Sequence, residues 1–248
     1  ATGMQAAGFN QNGNYLTVQL KQHQNFGPSQ IRLQVVSDKI IRVQATAEQS
    51  FRNKQSLIIV PQNSKANYKV EEQGDNLIIT TAAMRAVMNE ATGQITFYDL
   101  KDNVLLNEVA QGGKTFKPFT VPDREIGVDI AKVPEAQKHG WSWRALFNSP
   151  DNEAFYGLGQ HQSEELNMKG KNEDLFQYNT KVSVPFVISN KNYGILWDSY
   201  SYCRWGNPED YLQLNRAFKL YDKDGKEGQL TGTYVAKDGK KIVRGEDS

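Results

Sequence analysis

"QIRLQVVSDKIIRVQA", Gln30 to Ala45, holds two runs in which apolar and polar residues alternate, separated by the polar triplet Ser37-Asp38-Lys39. Successive side chains of a β-strand point to opposite faces, so each run offers one apolar face to a core. The triplet between them predicts an antiparallel hairpin. The same signature extends outward in both directions. Before it lies "YLTVQL" (Tyr15 to Leu20). After it come "SLIIV" (Ser56 to Val60), "NYKVEE" (Asn67 to Glu72), "NLIITT" (Asn76 to Thr81) and "RAVMNEATGQITFYD" (Arg85 to Asp99), which folds back at Ala91-Thr92-Gly93. "LKDNVLLNE" turns at Asp102-Asn103 into a further strand. Strands separated by turn residues about every eight to twelve positions predict an all-β chain built as a large antiparallel β-sandwich.

Residues 110–140 break this rhythm with prolines and glycines, and read as a long irregular excursion with short strands inside it, ending in the strand "WSWRALFNS". The sandwich pattern returns at "SVPFVIS" (Ser183 to Ser189), "YGILWDSY" (Tyr193 to Tyr200), "YCRWG" and "AFKLYD" (Ala217 to Asp222). Ser163 to Met168 is the one helical window, too short to stand alone. From Gly228 onward the composition shifts again to a turn-rich segment around "LTGTYV".

The 248 residues carry 29 Lys plus Arg against 28 Asp plus Glu, a net charge of +1, which offers no electrostatic footprint for nucleic acid or an anionic membrane. No apolar run approaches the length that crosses a bilayer, so neither nucleic acid nor membrane is an expected partner. The single cysteine, Cys203, excludes an internal disulfide and reads as a buried structural thiol. The N-terminus "ATGMQAAGFNQNG" has neither a charged nor an apolar leader region, so no signal peptide remains in it, and it reads as a mature or trimmed start.

The passage richest in unusual residues is "FYGLGQHQSEELNMKGKN", Phe155 to Asn172. It fails as a phosphate cradle because position 162 is Gln where a dinucleotide fingerprint needs glycine, and because Gly170-Lys171 is followed by Asn172. His161 with Glu164 and Glu165 approaches an inverted zinc-peptidase spacing, but the second histidine is missing, so no metal or other cofactor is expected. "DKDGKE" lacks the later acids of a calcium loop and reads as a hairpin turn at Asp224-Gly225. No G-x-S-x-G elbow occurs. Among the acids, Asp198 after Trp197 is the most suggestive for sugar chemistry, with the role of turn starter as its ordinary reading.

Taken together, Tyr156-Gly157-Leu158-Gly159, Val184-Pro185-Phe186 and Tyr193-Gly194-Ile195-Leu196-Trp197-Asp198 resemble the N-terminal region of glycoside hydrolase family 31, with Gln160 standing where the family usually has an acid. "LNMKGKN" and "QYNT" are most similar to a Bacteroidetes α-xylosidase-like branch. The resemblance implies a galactose-mutarotase-like sandwich leading a retaining α-glycosidase, α-xylosidase or α-glucosidase, that works through a covalent glycosyl-enzyme. Neither the family's nucleophile motif nor the βα alternation of a barrel occurs in these residues, so no catalytic residue is assigned and the implied partners are the protein's own C-terminal barrel and an oligosaccharide substrate.

The two glycines then become tight backbone positions where a strand is left. The family's matching loop is Lys169 to Thr180, which makes Asp174, Gln177, Tyr178 and Asn179 the expected substrate-binding residues. The resemblance further divides the chain into a sandwich over 1–227 and the beginning of an inserted protective-antigen-type domain over 228–248, and implies a periplasmic or secreted enzyme. A carbohydrate-binding module and an aldose epimerase-like domain are the competing functions.

Overall fold

The computed structural model describes residues 8–21, 25–52, 55–60, 66–120, 130–162, 165–199, 201–206, 219, 221, 224–227 and 231–245. The chain divides into two compact units, one formed by residues 1–169 and 175–203, the other by 170–174 and 204–248.

The first unit begins with a four-stranded antiparallel sheet in the order β1-β2-β3-β4: Phe9–Asn12, Tyr15–Gln19, Gln30–Ser37 and Ile40–Thr46. The hairpin from which the sequence reading started is β3–β4. Its register sets Ile31 opposite Ala45, Leu33 opposite Val43 and Val35 opposite Ile41, and an irregularity falls between Val35 and Ser37. β5 (Tyr68–Gln73), β6 (Asn76–Thr81), β7 (Arg85–Asn89), β8 (Ile95–Tyr98) and β9 (Val104–Glu108) follow as a second antiparallel meander. β10 (Lys114–Thr120) and β11 (His139–Ala145) pair along seven residues as a two-stranded ribbon. β12 (Phe147–Asn148) then joins the second sheet beside β9.

One core holds the two large sheets together. Leu16, Val18, Leu20, Ile31, Leu33 and Val35 come from the first, and Leu77, Ile79, Ala86, Met88 and Ile95 from the second. Apart from Leu20, which follows β2, these are every second residue of their strands, so the period-2 alternation of the sequence translates into one buried face per sheet. Each Leu or Ile so buried contributes about 1.5–3 kcal/mol through the hydrophobic effect.

After β13 (Phe155–Gln160) and β14 (Glu173–Leu175) the chain forms β15 (Val182–Ser189) and β16 (Tyr193–Leu196). β13, β15 and β16 make a three-stranded antiparallel sheet with β15 at its centre. β14 pairs with β17 (Cys203–Trp205). In the second unit β18 (Thr231–Val235) and β19 (Lys241–Gly245) form a hairpin closed over Ala236 to Lys240. The strand expected at Ala217–Asp222 lies mostly outside the described residues, as do His23, Ser163 and Glu164. No helix among the described residues is long and apolar enough to cross a membrane.

Three sequence expectations change and a fourth gains detail. Ser56–Val60 is not a strand. Ser56 Oγ accepts from the amides of Ile58 and Ile59 at 3.2 and 3.0 Å, a local turn that an apolar run without alternation cannot outcompete. The short strands expected within 110–140 include β10, which pairs with β11 at the start of the expected strand "WSWRALFNS". Residues 165–168 are not helical, and the α-helix among the described residues is the four-residue turn α1 (Glu135–Lys138). Cys203 is half-buried rather than buried, its thiol donating to the Ser201 carbonyl at 3.0 Å.

Asp198 proves to be a clamp. Its carboxylate accepts from the Arg42 guanidinium at 2.6 Å and from Ser56 Oγ at 2.7 Å, tying the segment after β16 to β4 and to the Ser56 turn. Such charge-assisted bonds in a largely buried setting hold long sequence separations together. Asp198→Ala should therefore lower stability by about 2 kcal/mol, since it removes hydrogen bonds to a charged group. Asp198→Asn, which keeps an acceptor for Ser56, should lose less, and urea denaturation of the two variants checks the order.

Candidate functional site

The tight passage Tyr156-Gly157-Leu158-Gly159 and the run Val184-Pro185-Phe186 are two halves of one irregular pairing. β13 and β15 are in register at Gly157–Val187 and again at Gly159–Ser183, so three residues of β15 stand opposite Leu158 alone. Pro185, which has no amide to donate, sits within that bulge, where a strand tolerates it. On the other strand Gly157, Leu158 and Gly159 all have positive φ, at 130°, 67° and 100°. Glycine is needed at the outer two because a Cβ on Gly157 would lie 2.6 Å from the Phe186 carbonyl oxygen, and one on Gly159 would strike the Val182 carbonyl. Leu158 accepts the strained backbone because its side chain is buried.

The loop leaving β13 is fastened on itself. His161 Nε2 donates to the Leu158 carbonyl at 2.7 Å, which fixes one tautomer of the ring. Asn167 Oδ1 accepts from the amides of Phe155 and Lys169, and the Met168 amide donates to the Phe155 carbonyl while its side chain is buried. The "LNMKG" wording thus has a packing function. His139, for its part, bonds Glu135 and Thr120. Among the described residues no group of three or more His, Cys, Asp or Glu is placed to hold a metal ion.

Just past the bulge, where Gln160 pairs with Val182, the surface opens into a concavity of about 580 Å³ lined by Gln160, Gln177, Tyr178, Asn179, Thr180, Lys181 and Val182. A turn closes it: Tyr178 bridges Lys181, whose amide donates to the Tyr178 carbonyl at 3.0 Å, leaving Asn179 and Thr180 at the tip. Beside it stand three exposed aromatic rings. Phe176 lies 6.1 Å from Tyr178 and 6.5 Å from Tyr202, the second pair edge to face.

Of the four residues expected from the sequence, Gln177, Tyr178 and Asn179 are brought together here, whereas Asp174 is an exposed residue of β14 outside this lining and belongs to the second unit. Gln160, Thr180, Lys181 and Val182 were not anticipated. Thr180 and Lys181 follow Asn179 along the chain, whereas the β13–β15 register reveals Gln160 and Val182, neighbours across a ladder and 22 positions apart in sequence.

Chemically, the lining offers three side-chain amides, two hydroxyls and one ammonium, with no carboxylate. Amides and hydroxyls both donate and accept, and exposed rings present flat apolar faces, a combination that fits a neutral polyhydroxylated ligand. The buried acids are committed elsewhere. Glu153 accepts from Ser189 Oγ and the Tyr193 hydroxyl, each at 2.6 Å, and burial together with that carboxylate pushes the Tyr193 pKa up. Glu90 pairs with Lys21 at 3.0 Å, and Glu108 with Lys114.

Comparison with known proteins places these features. The family model of the glycosyl hydrolase 31 N-terminal galactose mutarotase-like domain matches residues 30–205. An α-xylosidase of Saccharolobus solfataricus is 25% identical over 176 residues, 71% of this chain and 23% of that protein. An uncharacterized family 31 glucosidase, ORF2, of Pseudescherichia vulneris is 26% identical over 178 residues, 68% of this chain and 32% of its own length. The chain therefore spans less than a third of either curated relative. Among solved structures, the GH31 α-xylosidase of Xanthomonas citri superposes with a TM-score of 0.77 at 36% identity, over 95% of this chain and 24% of that one. A GH31 α-xylosidase from a soil metagenome, complexed with xylose, gives 0.59 at 25% identity over 79% of this chain and 28% of that one.

Proposed function

Because the chain belongs to the family of glycosyl hydrolase 31 N-terminal galactose mutarotase-like domains, we propose that it is the leading, non-catalytic sandwich of a longer retaining α-glycosidase of the α-xylosidase or α-glucosidase kind. In this reading it scaffolds the catalytic part of the protein and contributes one wall of the pocket for an α-linked oligosaccharide. The observation that carries the second role is the concavity at Gln160 and Gln177–Val182, whose amides, hydroxyls and neighbouring rings match sugar chemistry. Residues 228–248, of which the β18–β19 hairpin is described, then open an inserted protective-antigen-type domain.

Asn179 lines the concavity from the turn that Tyr178 and Lys181 close. Asn179→Ala in the longer enzyme should raise KM or lower kcat several-fold on an α-xyloside or α-glucoside while the melting temperature stays put. Unchanged kinetics on the natural substrate would remove the loop from the pocket. The 248-residue chain by itself should release no chromophore from either glycoside, and turnover by it would refute the non-catalytic assignment.

A further inference from the structure

β10 and β11 form a ribbon that is buried at one end and open to water at the other. Lys114 and Phe116 are buried, whereas Lys117 to Thr120 and His139 to Arg144 are exposed on both faces. The register sets Phe116 opposite Trp143, Pro118 opposite Trp141 and Thr120 opposite His139, so these six residues share one face. Lys117, Phe119, Ser142 and Arg144 lie on the other.

Two tryptophans thus stand on one side of one strand, about 7 Å apart along it. Trp141 is exposed by 44% and Trp143 by 41%. Both are pinned. Trp143 stacks on Phe116 at 5.8 Å and on Trp197 at 4.3 Å. The indole N–H of Trp141, its single polar group, donates to the Glu48 carboxylate. A ring already fixed in this way loses little conformational entropy when a ligand covers it.

The polar groups beside the rings narrow the choice of ligand. Glu48 accepts from the Arg52 guanidinium at 2.6 and 3.2 Å. One ladder pair further along the face, His139 bonds Thr120 at 3.2 Å and Glu135 at 2.9 Å, and Glu135 also pairs with Lys138 at 3.0 Å. Each acid at the rim therefore has a basic partner in place, and the face offers hydrogen-bonding groups without a net field. A charged peptide or a nucleic acid would need uncompensated charge here. A neutral sugar chain needs what is present: an apolar ring for its C–H faces, with donors and acceptors alongside for its hydroxyls.

We propose that this face of the β10–β11 ribbon is a second carbohydrate site, which takes a neutral polysaccharide chain and holds the protein on it, with Trp141 as the principal stacking ring. It shares no residue with the concavity at Gln160 and Gln177–Val182, and it stands whether or not that concavity belongs to a catalytic pocket.

Native affinity electrophoresis of the 248-residue chain through gels containing xyloglucan tests it, with alginate as the acidic counterpart. Xyloglucan should retard the chain and alginate should not. Trp141→Ala should weaken the retardation about tenfold in Kd, the effect of losing a stacking ring and the apolar area it covers. Phe119→Ala, an equally exposed ring on the opposite face of the same ribbon, should change nothing. If Trp141→Ala does not fold, Trp141→Phe serves: xyloglucan should quench the tryptophan emission of the unsubstituted chain and quench that of Trp141→Phe less. Equal retardation of the unsubstituted chain and Trp141→Ala, or none of either, would overturn the proposal. Retardation that Asn179→Ala abolishes and Trp141→Ala spares would assign the binding to the concavity instead. A melting temperature that Trp141→Ala lowers by more than about 5 °C in the longer enzyme, but by less than about 2 °C in the 248-residue chain, would show that polypeptide covers the ring and would overturn it equally.

Discussion

Lys114→Met will cost the first unit about 3–5 kcal/mol, the penalty for stranding one member of a buried ion pair. Lys114 and Glu108 are both buried, and the Lys114 ammonium donates to the Glu108 carboxylate and, at 3.0 Å, to the Gly93 carbonyl. Glu108 also accepts from the Ile95 amide at 2.8 Å, so a single side chain at the end of β9 gathers β8, β9 and β10. Burial pushes the Glu108 carboxyl up and the Lys114 ammonium down, while their mutual attraction opposes both shifts. With the lysine gone the desolvation of Glu108 is opposed only by the Ile95 amide, and its folded-state pKa rises further above the unfolded value of about 4.3. A group shifted in that direction is fully tolerated below its unfolded pKa and loses stability as pH rises through the folded pKa. The deficit of Lys114→Met should thus be smallest near about pH 4 and grow toward neutrality. Adding Glu108→Gln, which retains an acceptor for Ile95, should restore about 1–2 kcal/mol at pH 7 by removing the stranded charge. Urea denaturation at the two pH values decides. A loss below about 1 kcal/mol for the single variant would mean that water reaches the pair and that it is no staple.

That staple illustrates which parts of the fold are legible in the sequence. β2, β3, β4, β6, β7 and β8 could be placed because each buries one face only, and one-sided burial writes itself as alternation: Leu16 and Val18, Ile31, Leu33 and Val35, Leu77 and Ile79. Ser56–Val60 misled because a short apolar run specifies neither a face nor a register. What decided its structure was a hydroxyl bonding two local amides and the remote Asp198. The strand "WSWRALFNS" is legible, but its pairing with β10 is masked by Lys117, Pro118 and the prolines beyond, and Trp143 stacks between Phe116 and Trp197 at 5.8 and 4.3 Å. No periodicity encodes a contact such as Arg42–Asp198, 156 residues apart.

The candidate site divides along the same line. Gln177, Tyr178 and Asn179 were reachable because they are contiguous, and a resemblance that aligns one aligns all three. Asp174 belongs to the same expected loop, and the structure places it in β14, outside the lining of the concavity. Gln160 joins the lining only through the ladder to Val182. A residue recruited across a bulge leaves no trace in spacing, since the bulge itself changes the count between strands.

Gly159→Ala should be among the more damaging single methyls at the described glycines for that reason. The backbone at Gly159 has φ of +100°, a region that L-residues with a Cβ rarely occupy. The added carbon would collide with the Val182 carbonyl oxygen and lie 2.9 Å from the Val184 nitrogen. Both neighbours are backbone of β15, so no rotamer change can yield, and relief requires β13 and β15 to separate. Gly74→Ala is the matched control, with φ of +61° and nothing within 4 Å of the new methyl. The control should lose about 1 kcal/mol from backbone strain alone. Gly159→Ala should lose about 3 kcal/mol or more, because steric overlap adds to the strain. The difference should also be local. Since Gln160 and Val182 form the next pair of the ladder and both line the concavity, its wall should open before the Leu16–Ile79 core melts. Amide hydrogen exchange at Gln160 and Val182 should then quicken by at least about tenfold, equivalent to 1.4 kcal/mol of opening free energy, with no change in Gly74→Ala. If the two alanine variants exchange and melt alike, the glycine is a bystander and the β13–β15 bulge does not build the site.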